Sequence, residues 1–497
     1  MKSYIGIDFG ASNLKVVKVF GNGKYNPLKL NKEQTGGQFT PNVILYDKGK
    51  DNVEIKVGKV AKRSFDVKNV VRHIKPKLAQ KNWSQVIENL GREIDAAQVV
   101  KDIFSWIWKE ITLKISKNEE FDVTITAPVA FSEVQKNLIR QAAVEAGIPV
   151  TAVITEPFAA IFSAEEFDDD EQTILVFDFG GSTLDLSLCR IERDDDNLNV
   201  TELAAAGLKF GGIDIDNAIY EKIFCVKQAD KVKNFLGDDI VKLKDLIENL
   251  KEEIFLDGED EASDSVDDKN GTLHEFTLTH DEIISVLESL DVKKKIVVLL
   301  DELLDDAQID KSEVTKISLF GGSSSIDYVH EILTDYFGEN LLEEFDAEEI
   351  YISVAKGAAK FRFFVDTAAD NVCLKNVVPY SIGLADGETF KRLIKRNELT
   401  GFVTPFKPLL VDELEKNNWR VAVWQSFGNE FELPLDGEDV IFVGDVELDK
   451  KLYTATDAIL FKMQPSDDGK IFMSFFEQRP DEDAPVFVEE KIVNLGG

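Results

Sequence analysis

The chain has 497 residues, and its 57 lysines and arginines are outnumbered by 92 aspartates and glutamates, which gives a net charge of −35 at pH 7. A surface this negative repels phosphate backbones, so neither nucleic acid nor an anionic membrane is expected as the main partner. Hydrophobic residues make up 44% of the sequence, a share that excludes wholesale disorder and, at this length, predicts about three folding units.

The N-terminus and the cysteines indicate the cellular compartment. The first residues lack the apolar stretch of a signal peptide, and no apolar run reaches the roughly 18 residues of a membrane-spanning helix. Cys189, Cys225 and Cys373 are far apart and odd in number, which favours a reducing environment over a disulfide framework. The histidines show no metal-ligand spacing. We therefore expect a cytoplasmic protein without a structural zinc site.

Two similar hairpins are predicted in the first half of the chain. Residues 4–7 and 15–20 are predicted strands joined by a tight turn at 8–13, and the arrangement returns at 174–177 and 184–188 around a turn at 178–183. The pentads that open the two turns differ only at Ala11 and Gly181. A repeat this far apart is too long for a solenoid and indicates a duplicated domain.

Strands and helices alternate around these hairpins. The pattern predicts strands at 122–126, 150–154 and 316–320, and helices from Ser132, over 157–164, 213–225 and 240–256, from Thr279, and over 326–337. Ser132 and Thr279 each precede a glutamine or glutamate by three residues, the spacing of a helix capping box. This alternation predicts layered α/β structure. Acidic runs at 165–171, 194–196 and 257–268 are predicted to be solvated loops.

The character of the sequence changes after residue 365. From 377 to 493 it shows short segments of period two, separated by Asp-Gly and Gly-Asn turns, with no convincing helix longer than two turns. We therefore predict an α/β domain over 1–365, a linker over 366–376 and an antiparallel β-sandwich over 377–497.

The two hairpin turns are candidates for a phosphate site. Backbone amides of a tight, glycine-containing turn form an anion-binding nest, and two opposed nests suit a triphosphate. Asp8 and Asp178 begin the two turns, so together they could steady one hydrated Mg²⁺. The alternative is that both aspartates only cap their turns. Asp-Phe-Gly also occurs in protein kinases, but the other kinase motifs are absent from this sequence.

These turns resemble those of the ATPase superfamily that contains actin, sugar kinases and the seventy-kilodalton heat-shock chaperones. Further segments are similar to the chaperones, namely 57–62 (Val-Gly-Lys-Val-Ala-Lys), 127–132 (Ala-Pro-Val-Ala-Phe-Ser), 155–160 (Thr-Glu-Pro-Phe-Ala-Ala), 211–216 (Gly-Gly-Ile-Asp-Ile-Asp), 319–326 and 354–359. Residues 378–384 and 393–397 resemble the opening strands of the family's peptide-binding domain. The resemblance implies a duplicated ribonuclease-H-like (actin-like) ATPase domain followed by an all-β substrate-binding-like domain.

The resemblance implies six catalytic residues, which are Asp8, Lys62, Glu156, Asp178, Thr183 and Asp185. The two hairpin aspartates would hold the water shell of Mg²⁺, the other carboxylates would complete the acidic site, Lys62 would steady the γ-phosphate and the attacking water, and Thr183 would donate to phosphate. Phosphoryl transfer needs such positioning and charge neutralisation. Structural alternatives remain for three of them: a surface lysine at Lys62, a helix-dipole partner at Glu156 and a β-favouring residue at Thr183.

Further residues of the same motifs would hold ATP or ADP. Those implied as phosphate and adenosine contacts are Gly10, Ala11, Ser12, Asn13, Gly180, Gly181, Ser182, Gly211, Gly212, Gly321, Gly322, Ser323 and Ser325. Glu248 and Lys251 match the family's adenine and ribose contacts, with a solvated surface pair as the alternative. Pro128 and Lys136 resemble its interdomain switch.

Four positions depart from the family pattern. The family usually has threonine at Ala11, glutamate at Ile213, and arginines at Glu252 and Ser325. The missing guanidinium groups would have stacked on adenine, and the missing hydroxyl would lie near the γ-phosphate. We therefore expect nucleotide binding with weak turnover. The linker is also altered, which leaves dependence on a J-domain co-chaperone open.

The expected function is that of an ATP-binding, slowly hydrolysing chaperone-like protein whose nucleotide state regulates the β domain. That domain would bind unfolded or extended polypeptide, or a dedicated protein client, and a co-chaperone or exchange factor would be a further partner. The alternatives within the superfamily are a small-molecule kinase and an actin-like scaffold, and the β domain argues against both. The sequence ends soon after the strand-like segment 486–493, so we expect no helical lid and rapid exchange of bound peptide.

Overall fold

The computed structural model describes residues 2–30, 39–50, 52–80, 82–115, 119–163, 171–194, 197–339, 341–342, 347–367, 372–437, 439–454, 458–466, 470–479, 482 and 484–495. The acidic run predicted as a loop at 165–171 lies outside these residues except for its last one, and so do the last two residues of the run at 194–196. Among the described residues, no helix is both long enough and apolar enough to cross a membrane.

The first hairpin lies at the centre of a mixed sheet. Ser3–Phe9 pairs antiparallel with Asn13–Phe20 and in parallel with Phe121–Ala127. Every residue of Ser3–Phe9 is buried, as expected for a strand covered on both faces. The other described strands of this sheet are Val150–Thr155, Tyr25–Pro27 and Thr40–Pro41.

The second hairpin is built in the same way. Glu171–Phe179 pairs antiparallel with Leu184–Asp194 and in parallel with Lys316–Phe320. Asn197–Leu208 and Val372–Lys375 complete this sheet at the other edge. Both predicted hairpins are therefore confirmed, and each has a parallel strand beside it, as expected for a duplicated unit.

Helices connect the strands and pack against the two sheets. The longer ones are Ala96–Thr112, Glu133–Glu145, Gly212–Ile219, Ile240–Asp257, His280–Ser289, Val292–Ala307, Asp327–Phe337 and Ala347–Thr367. The capping boxes predicted at Ser132 and Thr279 both form. Ala347–Thr367 packs against both strands of the first hairpin.

Two helices differ from the sequence prediction. Glu156–Ile161 is shorter than the predicted helix over 157–164. The predicted helix over 213–225 is interrupted by a π-helical turn, Tyr220–Phe224, before Cys225–Lys227.

Smaller strands and short helices complete the described part of the α/β region. The strands are Val43–Lys48, Val53–Val57, Val70–Arg72, Ser84–Ile87 and Arg92–Asp95, and the short helices are Lys59–Lys62, Ile74–Lys77 and Ala229–Val232.

The loop predicted at the acidic run 257–268 is wrong. Asp257 ends a helix, and Glu261–Asp267 pairs antiparallel with Leu273–Thr279. Ala262 is buried and Val266 packs on the core of the second half, whereas Glu261 and Asp267 lie on the other face of the strand and are exposed, as Asp264 is. A strand with one solvated face accepts carboxylates there, which is why charge alone gave the wrong prediction.

The predicted linker contributes to the second sheet. Ala347–Thr367 extends over its first two residues, and Val372–Lys375 pairs in parallel with Asn197–Leu208, from Leu198 opposite Val372 to Thr201 opposite Lys375.

The C-terminal region is strand-rich, as the period-two pattern predicted. One sheet has the spatial order Glu432–Pro434, Thr389–Ile394, Ser381–Asp386, Arg420–Ser426, Val440–Glu447 and Asn494–Leu495. The other has the order Lys407–Leu410, Ala458–Pro465, Ile471–Glu477 and Val486–Ile492. Val377–Val378 pairs with Glu398–Leu399. Ile382, Val423, Met463 and Phe475 are fully buried in the core of this region, and Val411–Lys416 is its single described α-helix.

Candidate nucleotide site

A cavity of about 130 Å³ lies between the two hairpin turns. The sequence-predicted residues that line it are Asp8, Gly10, Ala11, Ser12, Asn13, Glu156, Asp178, Gly180, Gly181, Ser182, Thr183, Gly212, Glu248, Lys251, Gly321, Gly322, Ser323 and Ser325. Asp185 and Gly211 lie beside it without lining it. The duplicated hairpins thus bring both predicted nests to one cleft.

Two glycines let neighbouring loops approach the second turn closely. Gly321 has a φ of +80°, and a side chain there would collide with the backbone of Phe179. A side chain on Gly211 would collide with the backbone of Gly181 and Ser182. Glycine is therefore required at both positions by local geometry.

Four carboxyl groups are buried around the cleft. Asp8, Glu156, Asp178 and Asp185 are at most 7% exposed. Burial raises the pKa of Asp178, Glu156 and Asp185 above the ordinary range of carboxyl groups. Repulsion from neighbouring carboxylates adds to the increase for Asp178 and Glu156. The cluster therefore resists full ionisation without a cation.

Two lysines compensate part of this charge. The Lys15 Nζ donates to Asp8 at 2.9 Å, and the buried Lys75 donates to Glu156. Asp8 and Lys15 are directly opposite in the first hairpin, so hairpin register alone could have predicted that pair. Lys75 lies in the short helix Ile74–Lys77, which follows a left-handed residue, His73, and no pattern in the sequence predicts where its side chain lies.

The position of Lys62 differs from the sequence prediction. Its Nζ donates to Glu248 at 2.7 Å, and Lys62 does not line the cavity. Lys75, which the sequence analysis missed, occupies the buried position beside the acidic cluster. Lys62 is therefore paired with Glu248 in this structure, and its role at the γ-phosphate stays a prediction.

Two ion pairs cross the mouth of the cleft. Lys62 contacts Glu248, and Arg72 contacts Asp245 at 3.0 Å. Both acidic partners belong to Ile240–Asp257, one helical turn apart. Glu248, predicted as an adenine contact, is thus engaged by Lys62, whereas Lys251 pairs with Asp216 at 2.6 Å.

The donor set fits a hydrated divalent cation. The Asp185 Oδ2 atom is buried and has no hydrogen-bond partner among the described residues. Four carboxyl groups face two lysines, which leaves an excess of negative charge. In the described parts of the chain, no group of three or more histidine, cysteine, aspartate or glutamate side chains is arranged to ligate an ion directly. Magnesium keeps several of its bound waters, so carboxylates can hold it through those waters instead of ligating it directly.

The cavity includes in its lining the departures from the family pattern that the sequence shows. Glu252 and Ser325 line it, together with Phe255 and Tyr351. The described residues that line this cavity include no arginine. A base bound there would meet aromatic and small polar groups in place of guanidinium planes.

Comparison with known proteins places these features in a family. A family model described as Hsp70 protein matches residues 4–425. The chain belongs to the Hsp70 family. The Chaperone protein DnaK of Stenotrophomonas maltophilia (strain R551-3) is 27% identical over 440 residues, which cover 80% of this chain and 65% of that protein. The chain thus spans about 65% of the length of this curated relative. An Hsp70 chain combines an actin-like ATPase domain with a β substrate-binding domain, and the mixed sheets and strand-rich C-terminal region agree with that organisation.

Proposed function

We propose that this chain binds ATP with Mg²⁺, hydrolyses it slowly, and uses the nucleotide state to regulate polypeptide binding by its C-terminal β domain. The observation that carries the proposal is the convergence of two glycine-containing turns on one buried, incompletely neutralised acidic cluster. Family membership and the name of the DnaK relative support it. The ATPase domain would consist of two similar units with ribonuclease-H-like topology. The domains and the linker would have the boundaries predicted from the sequence.

Two aspartates, one lysine and the turn amides of the cleft have proposed parts in phosphoryl transfer. Magnesium, when bound, would neutralise charge on the β- and γ-phosphates. Asp8 and Asp178 would accept hydrogen bonds from its waters, and the turn amides of both hairpins would receive the phosphate oxygens. Lys75, in place of Lys62, would steady the γ-phosphate and the attacking water.

The β domain is attached to the ATPase half through a buried carboxylate. The side chain of Asp306 is only 3% exposed, and its Oδ2 atom accepts from the Arg396 Nε at 2.6 Å and from the Asn397 Nδ2 at 3.0 Å. The Asn429 Nδ2 donates to the other oxygen at 3.0 Å. Burial opposes ionisation, but the bonds from Asn429 and Arg396 keep the pKa of Asp306 below its ordinary value. Asp306 therefore acts as a charged anchor.

A second set of contacts joins the β domain to helix Glu133–Glu145. The Glu133 amide donates to the Gln425 side chain at 3.0 Å, and Lys136 lies 5.4 Å from the ring centre of Tyr380. Lys136 lies in the helix that follows strand Phe121–Ala127 and the turn after it. In that turn, the Ala130 amide donates a hydrogen bond to Asp185. This chain of contacts supports communication between the cleft and the β domain. It also argues against a small-molecule kinase and an actin-like scaffold.

The proposed partners are unfolded or extended polypeptide or a dedicated client, with a co-chaperone or exchange factor. The test is the affinity for a permanently unfolded polypeptide in ATP and in ADP. We expect the two affinities to differ in the wild type and in Asp305→Asn, an exposed neighbour on the same helix. Asp306→Asn should abolish the difference. Equal affinities in the wild type would contradict the proposal.

A further inference from the structure

A carboxyl group is buried where the linker meets the ATPase half. Glu202 lies in Asn197–Leu208 and is 2% exposed. Its Oε1 atom lies within hydrogen-bond distance of the Ser187 hydroxyl oxygen, at 2.7 Å, and its Oε2 atom accepts from the Val377 amide at 3.1 Å. Among the described residues, Glu202 forms no ion pair. The group is therefore almost fully buried and is held by neutral hydrogen-bond partners.

The position of Glu202 follows from the end of the linker strand. Parallel pairing between the linker and Asn197–Leu208 stops at Thr201 opposite Lys375. Glu202 is the next residue, and its side chain takes the amide of Val377, just beyond the linker. Val377 is itself buried with Val129 and Ala205. The docked segment thus covers the carboxyl group and supplies one of its two hydrogen-bond partners.

An unpaired buried carboxylate is costly, so burial favours the neutral acid. Burial raises the pKa of Glu202 to about 7, against the opposing effects of the bonds from Ser187 and Val377 and of the charge on Lys136. When the linker leaves, the strand edge returns to water and the carboxyl group regains much of its ordinary acidity, near pH 4. The docked form therefore binds more protons than the undocked form.

We propose that Glu202 docks the linker as a neutral acid, with the proton on Oε1 donated to the Ser187 hydroxyl oxygen while Oε2 accepts from the Val377 amide. Attachment of the β domain then takes up a proton and weakens as the pH rises. Because docking and proton uptake are linked, docking is strongest at pH values below the pKa of the undocked carboxyl group. It is lost as the pH rises through the pKa of the docked group. This inference rests on the proposed function in one respect only: it treats the docked arrangement as one of the states that the nucleotide would control.

The neighbouring groups do not reproduce this behaviour. Burial raises the pKa of Cys189 and of Tyr380, which keeps both neutral near pH 7. The charged side chains that line the adjacent interdomain cavity with Glu202 are Glu133, Lys136, Arg140 and Lys470. Lys136 also pairs with Glu133 at 3.2 Å. Glu202 is therefore the described carboxyl group at this contact that lacks an ionic partner.

The test is hydrogen exchange of the amides of residues 372–377 in the nucleotide-free full chain. After correction for intrinsic exchange rates, we expect their protection to fall by ~10-fold between pH 6 and pH 8. Glu202→Gln preserves the shape and an acceptor oxygen, so its protection should stay high and independent of pH. Glu302→Gln removes an exposed partner of Arg396 and should lower protection slightly while preserving the slope.

Two outcomes would overturn the inference: a flat profile in the wild type, or an unchanged slope in Glu202→Gln. If the glutamine variant misfolds, the ¹³C carboxyl shift of Glu202 in the wild type decides instead, with a midpoint near 7 expected and one near 4 contradictory. Repeating the exchange with ATP separates the two proposals. An absent nucleotide effect with the pH slope intact would count against the proposed function alone.

Discussion

The ammonium group of Lys75 forms a buried ion pair with Glu156 at the edge of the two hairpin turns. Lys75 is 1% exposed and Glu156 is 7% exposed. We predict that Lys75→Met lowers ATP turnover by about 10²-fold or more, because a positioned charge is lost. Lys62→Met, which removes only a bond to Glu248 at the cleft mouth, should lower turnover much less. Single-turnover hydrolysis measures both, and equal losses would contradict the reassignment of the phosphate lysine.

The acidic cluster predicts how pH affects the nucleotide-free protein. Because burial raises the pKa of Asp178, Glu156 and Asp185, their contribution to folding is complete at low pH and is lost as the pH rises through about 5 to 8. Asp178→Asn removes one repelling charge and should raise the melting temperature at pH 8. The same variant should lose most ATP turnover. Thermal denaturation with and without Mg²⁺ measures the first effect, and a lower melting temperature for the apo variant would argue against a repulsive cluster.

The two hairpins were predictable because short apolar runs and a glycine-containing turn between them act locally. Asp8 opposite Lys15 then follows from register. The position of Lys75 was not predictable, because it depends on a left-handed turn at His73 and on packing between distant segments. The acidic strand Glu261–Asp267 was missed because the exposed Asp264 lies between Ala262 and Val266 on the same face and interrupts the period-two pattern.

The interdomain contacts were also beyond local reasoning. Asp306 and Arg396 are far apart in sequence, and neither belongs to a pattern that specifies its partner. Glu202 resembles any strand glutamate until the linker covers it.

The ion pair between Arg72 and Asp245 predicts slow nucleotide release. The two side chains are 13% and 19% exposed, so solvent screens the pair only partly. Arg72→Ala should speed ADP release by a few-fold, and a double-mutant cycle with Asp245→Ala should give a coupling of ~0.5 to 2 kcal/mol. Stopped-flow release of a fluorescent ADP analogue provides the rates. Additive effects of the two substitutions would show that the pair does not hold the cleft closed.

The lining of the cavity around Ser325 predicts that one substitution increases the affinity for nucleotide. Ser325 lines the cavity without a guanidinium neighbour, so Ser325→Arg should tighten ADP binding by ~0.5 to 2 kcal/mol through stacking on the base. Ser325→Lys supplies a similar charge without the planar group and should help less. Unchanged or weaker binding of ADP to the arginine variant would mean that the base lies elsewhere.

The most direct measurement is calorimetric titration of ATP into the nucleotide-free chain, with and without Mg²⁺. The account predicts one site per chain, magnesium-dependent affinity, and loss of that dependence in Asp8→Asn, with binding unchanged in the exposed control Asp230→Asn. ATP binding that is absent, or that keeps its full dependence on magnesium in Asp8→Asn, would contradict the assignment of the two hairpin turns as the nucleotide site.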